Sequence, residues 1–204
     1  GSIDYKGQGA ISTAIEKSCF VPTYQSQESF QPLLSYASDD YYGIVGARSG
    51  AWEEGYLQKN YSIEVAIGRI PAKNPQEANM FINKLMAFEA QPRAGLPQLA
   101  WVSDDGDANI HMQDAEDFSS TLENALFPGQ QHKVYLDQYP MQQVNGAYSS
   151  PPGTQAVLSL FNEKADFIHY MGHGSESGWA DEKLLTTNDL VKLKNNKHLP
   201  ILLT

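Results

Sequence analysis

Apolar positions change their spacing several times along this chain, and each change marks an element. Ile63, Val65 and Ile67 alternate with Glu64 and Ala66, the period-two pattern of a half-buried strand. Asn74 followed by Pro75 reads as an N-cap and a first helical position. Ala78, Phe81, Ile82, Leu85 and Met86 then make one apolar helical face, which should stop before Gln91-Pro92. Leu99–Val102 suits a buried strand, broken at once by Ser103-Asp104-Asp105-Gly106-Asp107. Helical spacing returns from about Met112 to Leu126, with Ala115, Phe118, Leu122 and Leu126 inward. Beyond it the pattern predicts a strand at Val134–Leu136, a loop at Gln143–Pro152 and a helix at Thr154–Phe161. A strand at Asp166–Met171, a short helix at Thr187–Leu193 and a last strand at Leu199–Leu203 complete it. Within the first sixty residues only Gly43–Val45 reads as a strand, after a polar loop.

Strands alternating with helices predict an α/β fold, with a mostly parallel sheet covered by helices on both faces. Working groups in such sheets sit at the carboxyl ends of strands. The 204 residues, 41% hydrophobic and 19% charged, suit one globular domain or a little more. Residues 1–20 read as a Gly-Ser cloning scar with an irregular lead-in, and 21–204 as the domain. A net charge of −10 repels phosphate backbones, so no nucleic-acid partner is expected. The same field favours basic ligands or divalent cations. A single cysteine, Cys19, rules out an intrachain disulfide and a Cys-rich zinc site. No apolar run approaches the ~20 residues of a membrane span.

Two places carry candidate chemistry. In Tyr170-Met171-Gly172-His173-Gly174-Ser175 a histidine stands between two glycines at the end of a buried strand. The glycines allow a sharp turn and close approach of a ligand. His173 is suited to proton transfer near neutral pH, and the N–H after it to an oxyanion; a structural turn histidine is an equal reading. The second place is Asp104-Asp105-Gly106-Asp107-Ala108-Asn109. Asp104, Asp105 and Asp107 could hold calcium, orient a histidine, or cap the next helix, and capping is the favoured reading. A metal-dependent hydrolase built on these aspartates and His111 lacks a convincing ligand set. His169 is expected to pack within its strand, His111, His132 and His198 to be solvated, and Cys19 to be an incidental thiol.

The stretch Gly172-His173-Gly174-Ser175-Glu176-Ser177-Gly178-Trp179-Ala180-Asp181 resembles the histidine motif of the gingipain-type cysteine peptidases. Leu184–Leu190 and Leu199–Thr204 follow the same course. Val21–Ser26, Ser38–Gly43, Gly68–Lys73 and Trp101–Asp107 with Asn109–Met112 resemble the branch formed by the type IX secretion sortase.

The resemblance implies a caspase-like fold, incomplete at the C-terminus, with a Cys–His dyad on neighbouring strand ends. It makes His173 the catalytic histidine and Gly174 the oxyanion donor. It puts the cysteine a few residues past the Leu199–Leu203 strand, so that this chain alone is expected to be inert; Cys19 does not match it. A third, acidic member falls near the start of the Met112 helix, where Gln113 stands, and its role is not transferred. No cofactor is required, though calcium is compatible. The implied activity is cysteine endopeptidase and transpeptidase chemistry: removing C-terminal sorting domains from secreted cargo and attaching the cargo to surface lipopolysaccharide. The implied place is the outer membrane and cell surface, among other secretion components. A non-catalytic scaffold domain is the alternative. An uncovered last strand further predicts homo-oligomers.

Overall fold

The computed structural model describes residues 21, 23–26, 36–45, 63–90, 95–144, 146–194 and 199–204. The chain divides into two compact units, residues 1–84 and 85–204.

In the first unit, β1 (Tyr24–Gln25) and β2 (Ala37–Ser38) pair antiparallel. A 3-10 turn, Asp40–Gly43, occupies part of the expected Gly43–Val45 strand. Arg69 grips Asp39 through two guanidinium donors, Nε to Oδ2 at 2.5 Å and Nη2 to Oδ1 at 2.6 Å. That fork holds the Asp39 carboxyl down at about 2. Ile63–Ile67 forms no strand: the Glu64 and Val65 N–H groups both donate to Gly43 O, at 2.9 and 3.2 Å. Two donors turned to one acceptor cannot enter a ladder, so the alternating pattern is not matched by a pleat.

Helix α1 (Pro75–Glu89) starts where the Asn-Pro pair predicts. Asn74 Oδ1 accepts from Glu77 N at 2.9 Å while Glu77 Oε2 accepts from Lys73 N at 2.8 Å, a reciprocal cap. None of its residues is buried, its apolar stripe included.

The second unit carries the sheet. Strand β3 (Gln98–Ser103) leads through α2 (Gly106–Asn124) to β4 (Gln130–Tyr135). A hairpin, β5 (Gln142–Val144) and β6 (Ala147–Ser149), replaces most of the expected loop, turning at Gly146 with φ +81. Helix α3 (Pro151–Ser159) follows, capped by Ser150, whose Oγ accepts from Gly153 N, and passes into a π turn at Leu160–Lys164. Next come β7 (Phe167–Met171) and a small antiparallel sheet of β8 (Gly174–Ser175), β9 (Gly178–Trp179) and β10 (Leu185–Thr186). Glycines and short runs hid that sheet from a periodicity reading. A 3-10 segment, Thr187–Lys192, with a Thr186/Asp189 capping box, precedes β11 (Ile201–Leu203).

The main sheet runs β11-β7-β3-β4, all parallel. Pleating sends Ala100, Val102, Val134, Ile168 and Tyr170 to one face, against Val157, Leu158, Leu160 and Phe161. Trp101 and Tyr135 go to the other face, against Ala115 of α2. Helices therefore cover both faces, as the alternation of elements predicts. Two residues expected inward are not: Leu126 lies beyond the end of α2 with φ 55 and is 87% exposed. Phe118 is half exposed, its ring stacked over Trp101 at 6.1 Å.

Candidate active site

From β3 the chain crosses to β4 on one side, whereas β7 returns on the other side of β3 and is followed outward by β11. The connections leaving the carboxyl ends of β3 and β7 thus diverge, which opens a crevice between them. Asp104 directly follows β3, and His173 follows β7 by two residues.

Asp104 is buried, its side chain 3% exposed. Its Oδ2 accepts from the His173 backbone N–H at 2.6 Å and lies 3.0 Å from His173 Nδ1. A carboxylate only accepts, so this contact assigns a proton to Nδ1. On the far side of the ring, Asp107 Oδ2 lies 3.2 Å from Nε2. The His173 pKa is accordingly raised, first by the Asp104 hydrogen bond and then by the charges of Asp104 and Asp107.

The backbone around the imidazole is fixed by its neighbours. His173 O accepts from Tyr170 Oη at 2.6 Å and from Ala180 N at 2.8 Å. The Tyr170 ring lies parallel to Trp179 at 4.3 Å. Burial and the Asp104 charge push the Tyr170 phenol up, so it stays protonated and donates. A Cβ at Gly172 would stand 2.6 Å from Asp104 Cγ, and one at Gly106 would stand 2.9 Å from His173 Nδ1. Both glycines are there because the carboxylate and the imidazole leave no room.

Asp107, Ala108 and Asn109 open α2 in the left-handed region, with φ of 50, 55 and 63. Non-glycine residues adopt that conformation at a cost. The turn carries Asp107 to the imidazole edge and starts the helix that brings in His111. His111 Nε2 lies 3.7 Å from Asp104 Oδ1 and 3.8 Å from Asp107 Oδ2. Its ring meets His173 edge-on, centroids 5.1 Å apart.

Peptidase family C25 matches residues 1–204, the whole chain. The chain belongs to this family, that of the gingipain cysteine peptidases. Lys-gingipain of Porphyromonas gingivalis is 28% identical over 142 residues, covering 68% of this chain and 7% of the relative. Lys-gingipain W83 of the same species is 29% identical over 141 residues, covering 67% and 7%. The matched stretch is thus a small part of these relatives' own length. The crystal structure of the Arg-specific cysteine proteinase gingipain R superposes with a TM-score of 0.52 at 18% identity, covering 81% of this chain and 34% of that one. A complex of Porphyromonas gingivalis RgpB pro- and mature domains gives 0.50 at 18% identity, covering 82% and 36%. The fold is the caspase-like α/β arrangement of the gingipains.

In this C25 chain the structure joins the two places singled out in the sequence, through Asp104 and His173. Histidine orientation, the less favoured reading of the aspartates, is the one observed; Asp105 stands at the N-cap position without a side-chain cap hydrogen bond. Asp105 and Asp107 both lie outside the one potential metal-ligating group among the described residues: Asp104, His111 and His173. His111, expected to be solvated, belongs to the site. No local signal marked it, because Asp107–Asn109 are left-handed and i, i+4 spacing holds only along a regular helix. Gln113 is exposed on α2, and the acidic partner of the imidazole is Asp104. His169 packs between Trp101 and Phe118, at 5.8 and 5.9 Å, and burial lowers its pKa. His132 Nε2 meets Gln98 Oε1 at 2.9 Å, away from the crevice. Cys19 and His198 lie outside the described residues.

Gly174 pairs with Trp179 between β8 and β9. Because Ala180 N donates to His173 O, residues 173 and 180 form the hydrogen-bonded pair. The 174/179 pair is then the non-hydrogen-bonded kind, and the Gly174 N–H points out of the ladder. Gly174 itself is exposed.

Proposed function

We propose that this chain is the histidine half of a cysteine endopeptidase and transpeptidase. The observation that carries the reading is the Asp104–His173 pair at the crevice between β3 and β7. In this reading Nδ1 stays bound to Asp104, and Nε2 serves as the working nitrogen. It takes the proton of a thiol, the thiolate attacks a peptide carbonyl, and His173 returns the proton to the leaving amine as the acyl-enzyme forms. The Gly174 N–H is the oxyanion donor. Asp104 is a positioning residue, holding the tautomer and stabilising the imidazolium.

The cysteine is one that the family resemblance places a few residues past β11. Leu203 lies opposite His169 in the parallel register, so a chain continued along the same line runs beside Met171 and then His173. That register supports a thiol within reach of Nε2. The further reading follows from the resemblance: the substrates are secreted proteins with C-terminal sorting domains, cut and joined to lipopolysaccharide at the outer-membrane surface. Among the described residues no helix is long and apolar enough to cross a membrane.

The test uses the longer protein, including the residues that follow Thr204. Expected are labelling by thiol-directed peptidyl probes, cleavage of peptides spanning a sorting-domain junction, and loss of both in His173→Ala. Probe labelling and turnover left intact in His173→Ala would defeat the mechanism, and a longer chain without a cysteine would make this a scaffold domain.

A further inference from the structure

Two buried polar atoms beside the His173 imidazole have no hydrogen-bond partner: Asp104 Oδ1 and His111 Nε2. They face each other at 3.7 Å, too far for a hydrogen bond. Asp104 is 3% exposed, and leaving such an oxygen unsatisfied is costly, so a native structure has a reason for it. Asp107 Oδ2 borders the same gap, 3.8 Å from His111 Nε2 and 3.2 Å from His173 Nε2. Asp104, His111 and His173 each place a ligand atom within 4.8 Å of the other two.

Ligands held tetrahedrally at ~2.0–2.1 Å from zinc stand roughly 3.3 Å from one another. Separations of 3.7 Å between Asp104 Oδ1 and His111 Nε2, and of 3.8 and 3.2 Å from Asp107 Oδ2 to His111 Nε2 and His173 Nε2, lie near that spacing, and Asp104, His111 and His173 are the set whose ligand atoms all come together. Two imidazoles with two carboxylates suit a first-row transition metal, whereas calcium takes six to eight oxygens. The carboxylates offset the ion's charge, and the chain's net charge of −10 adds to the attraction.

We propose that Asp104, His111 and His173, with Asp107 at their edge, form a binding site for a divalent ion of the zinc type, and that its occupancy makes His173 unavailable to a thiol. A ligated imidazole nitrogen has no lone pair left for a proton. The inhibitory half of the proposal rests on the reading of His173 as the catalytic base; the binding half does not. Binding competes with protons for the imidazole nitrogens.

The binding half is tested on the 204-residue chain by calorimetric titration with zinc chloride, and with cobalt(II) for the visible absorption of a tetrahedral site. Expected is one ion per chain at micromolar concentration or below. His111→Ala and Asp107→Asn should each weaken it at least about tenfold, and Cys19→Ser should leave it unchanged. Asp107 is 65% exposed, so its variant tests the ligand set with little demand on folding. Binding only at millimolar zinc, binding unaltered in both variants, or binding lost with Cys19→Ser would overturn the site. In the longer protein, zinc should inhibit peptide cleavage, with potency falling in His111→Ala in step with affinity. An active longer protein whose zinc affinity ignores both variants sinks the site alone. A chain that binds zinc as expected, but has no peptidase activity when extended, supports the site and sinks the catalytic reading.

Discussion

One oxygen of Asp104 serves His173 twice, taking its backbone N–H at 2.6 Å and facing its ring Nδ1 at 3.0 Å. The carboxylate thereby fixes both where the imidazole is attached and how it is turned. Asp104→Asn keeps the shape but puts an amide where a charge stood. The His173 titration, followed by the NMR shift of its ring protons, should fall from above 6.5 towards that ordinary value. Peptidase activity of the longer protein should drop ~10²–10⁴-fold with little change in fold. Asp104→Ala leaves the His173 N–H without its acceptor and should also cost about 1 kcal/mol of stability.

The pH dependence has a definite sign. A histidine whose folded pKa is raised stabilises the fold in its protonated form. That contribution is full below the unfolded value of about 6.5 and is lost as pH rises through the raised folded value. Denaturation midpoints compared on either side of this window should converge between wild type and Asp104→Asn at the alkaline end. Divergence there would show that the pair acts through something other than charge.

Tyr170→Phe removes one of two donors to His173 O and leaves Ala180 N in place. The ring still stacks on Trp179. Stability should fall by only about 0.5–1.5 kcal/mol. The larger effect should be on turnover in the longer protein, because the residue whose carbonyl loosens is His173. Equal losses in KM and none in kcat would contradict this.

Gly106→Ala and Gly172→Ala should both be unfavourable, since the added methyls meet His173 and Asp104. Gly68→Ala is the control, with nothing within 4 Å of the added Cβ. Thermal melts should separate the two site variants from the control, and the His173 ring resonances should shift in both site variants and not in Gly68→Ala.

Arg69→Gln should raise the Asp39 titration from about 2 towards its ordinary 3.8. A depressed carboxyl stabilises above its unfolded pKa, and the contribution disappears as pH falls towards the folded value. Acid unfolding of the first unit should therefore begin at higher pH in the variant, visible by tyrosine fluorescence.

The strands β3 and β7 were legible because each is a short, largely apolar run between turn residues, whereas β4 opens with Gln130-Gln131-His132-Lys133 and only its last two residues, Val134 and Tyr135, fall in the expected Val134–Leu136 strand. Asn74-Pro75 gave the start of α1 for the same local reason. Ile63–Ile67 misled because alternation describes a residue's two sides and says nothing of where its backbone donors go. Leu126 misled because the helix ends before reaching it. At the site, His173 stood out through its glycines, and the Asp104–Asn109 run through its charge. That they meet depends on β7 lying beside β3, a pairing no local pattern encodes. His111 was invisible for a related reason: three left-handed residues set the phase of α2, and sequence spacing assumes a regular helix.

The parallel register of β11 on β7 has a consequence for any group carried on from Thr204. Side chains along a strand alternate between faces and advance ~3.3 Å per residue. A partner for His173 can therefore be brought nearer or farther only in steps of two residues, about 6.6 Å. Smaller adjustments fall to the imidazole, and the Asp104 tether turns them into rotations about a fixed end.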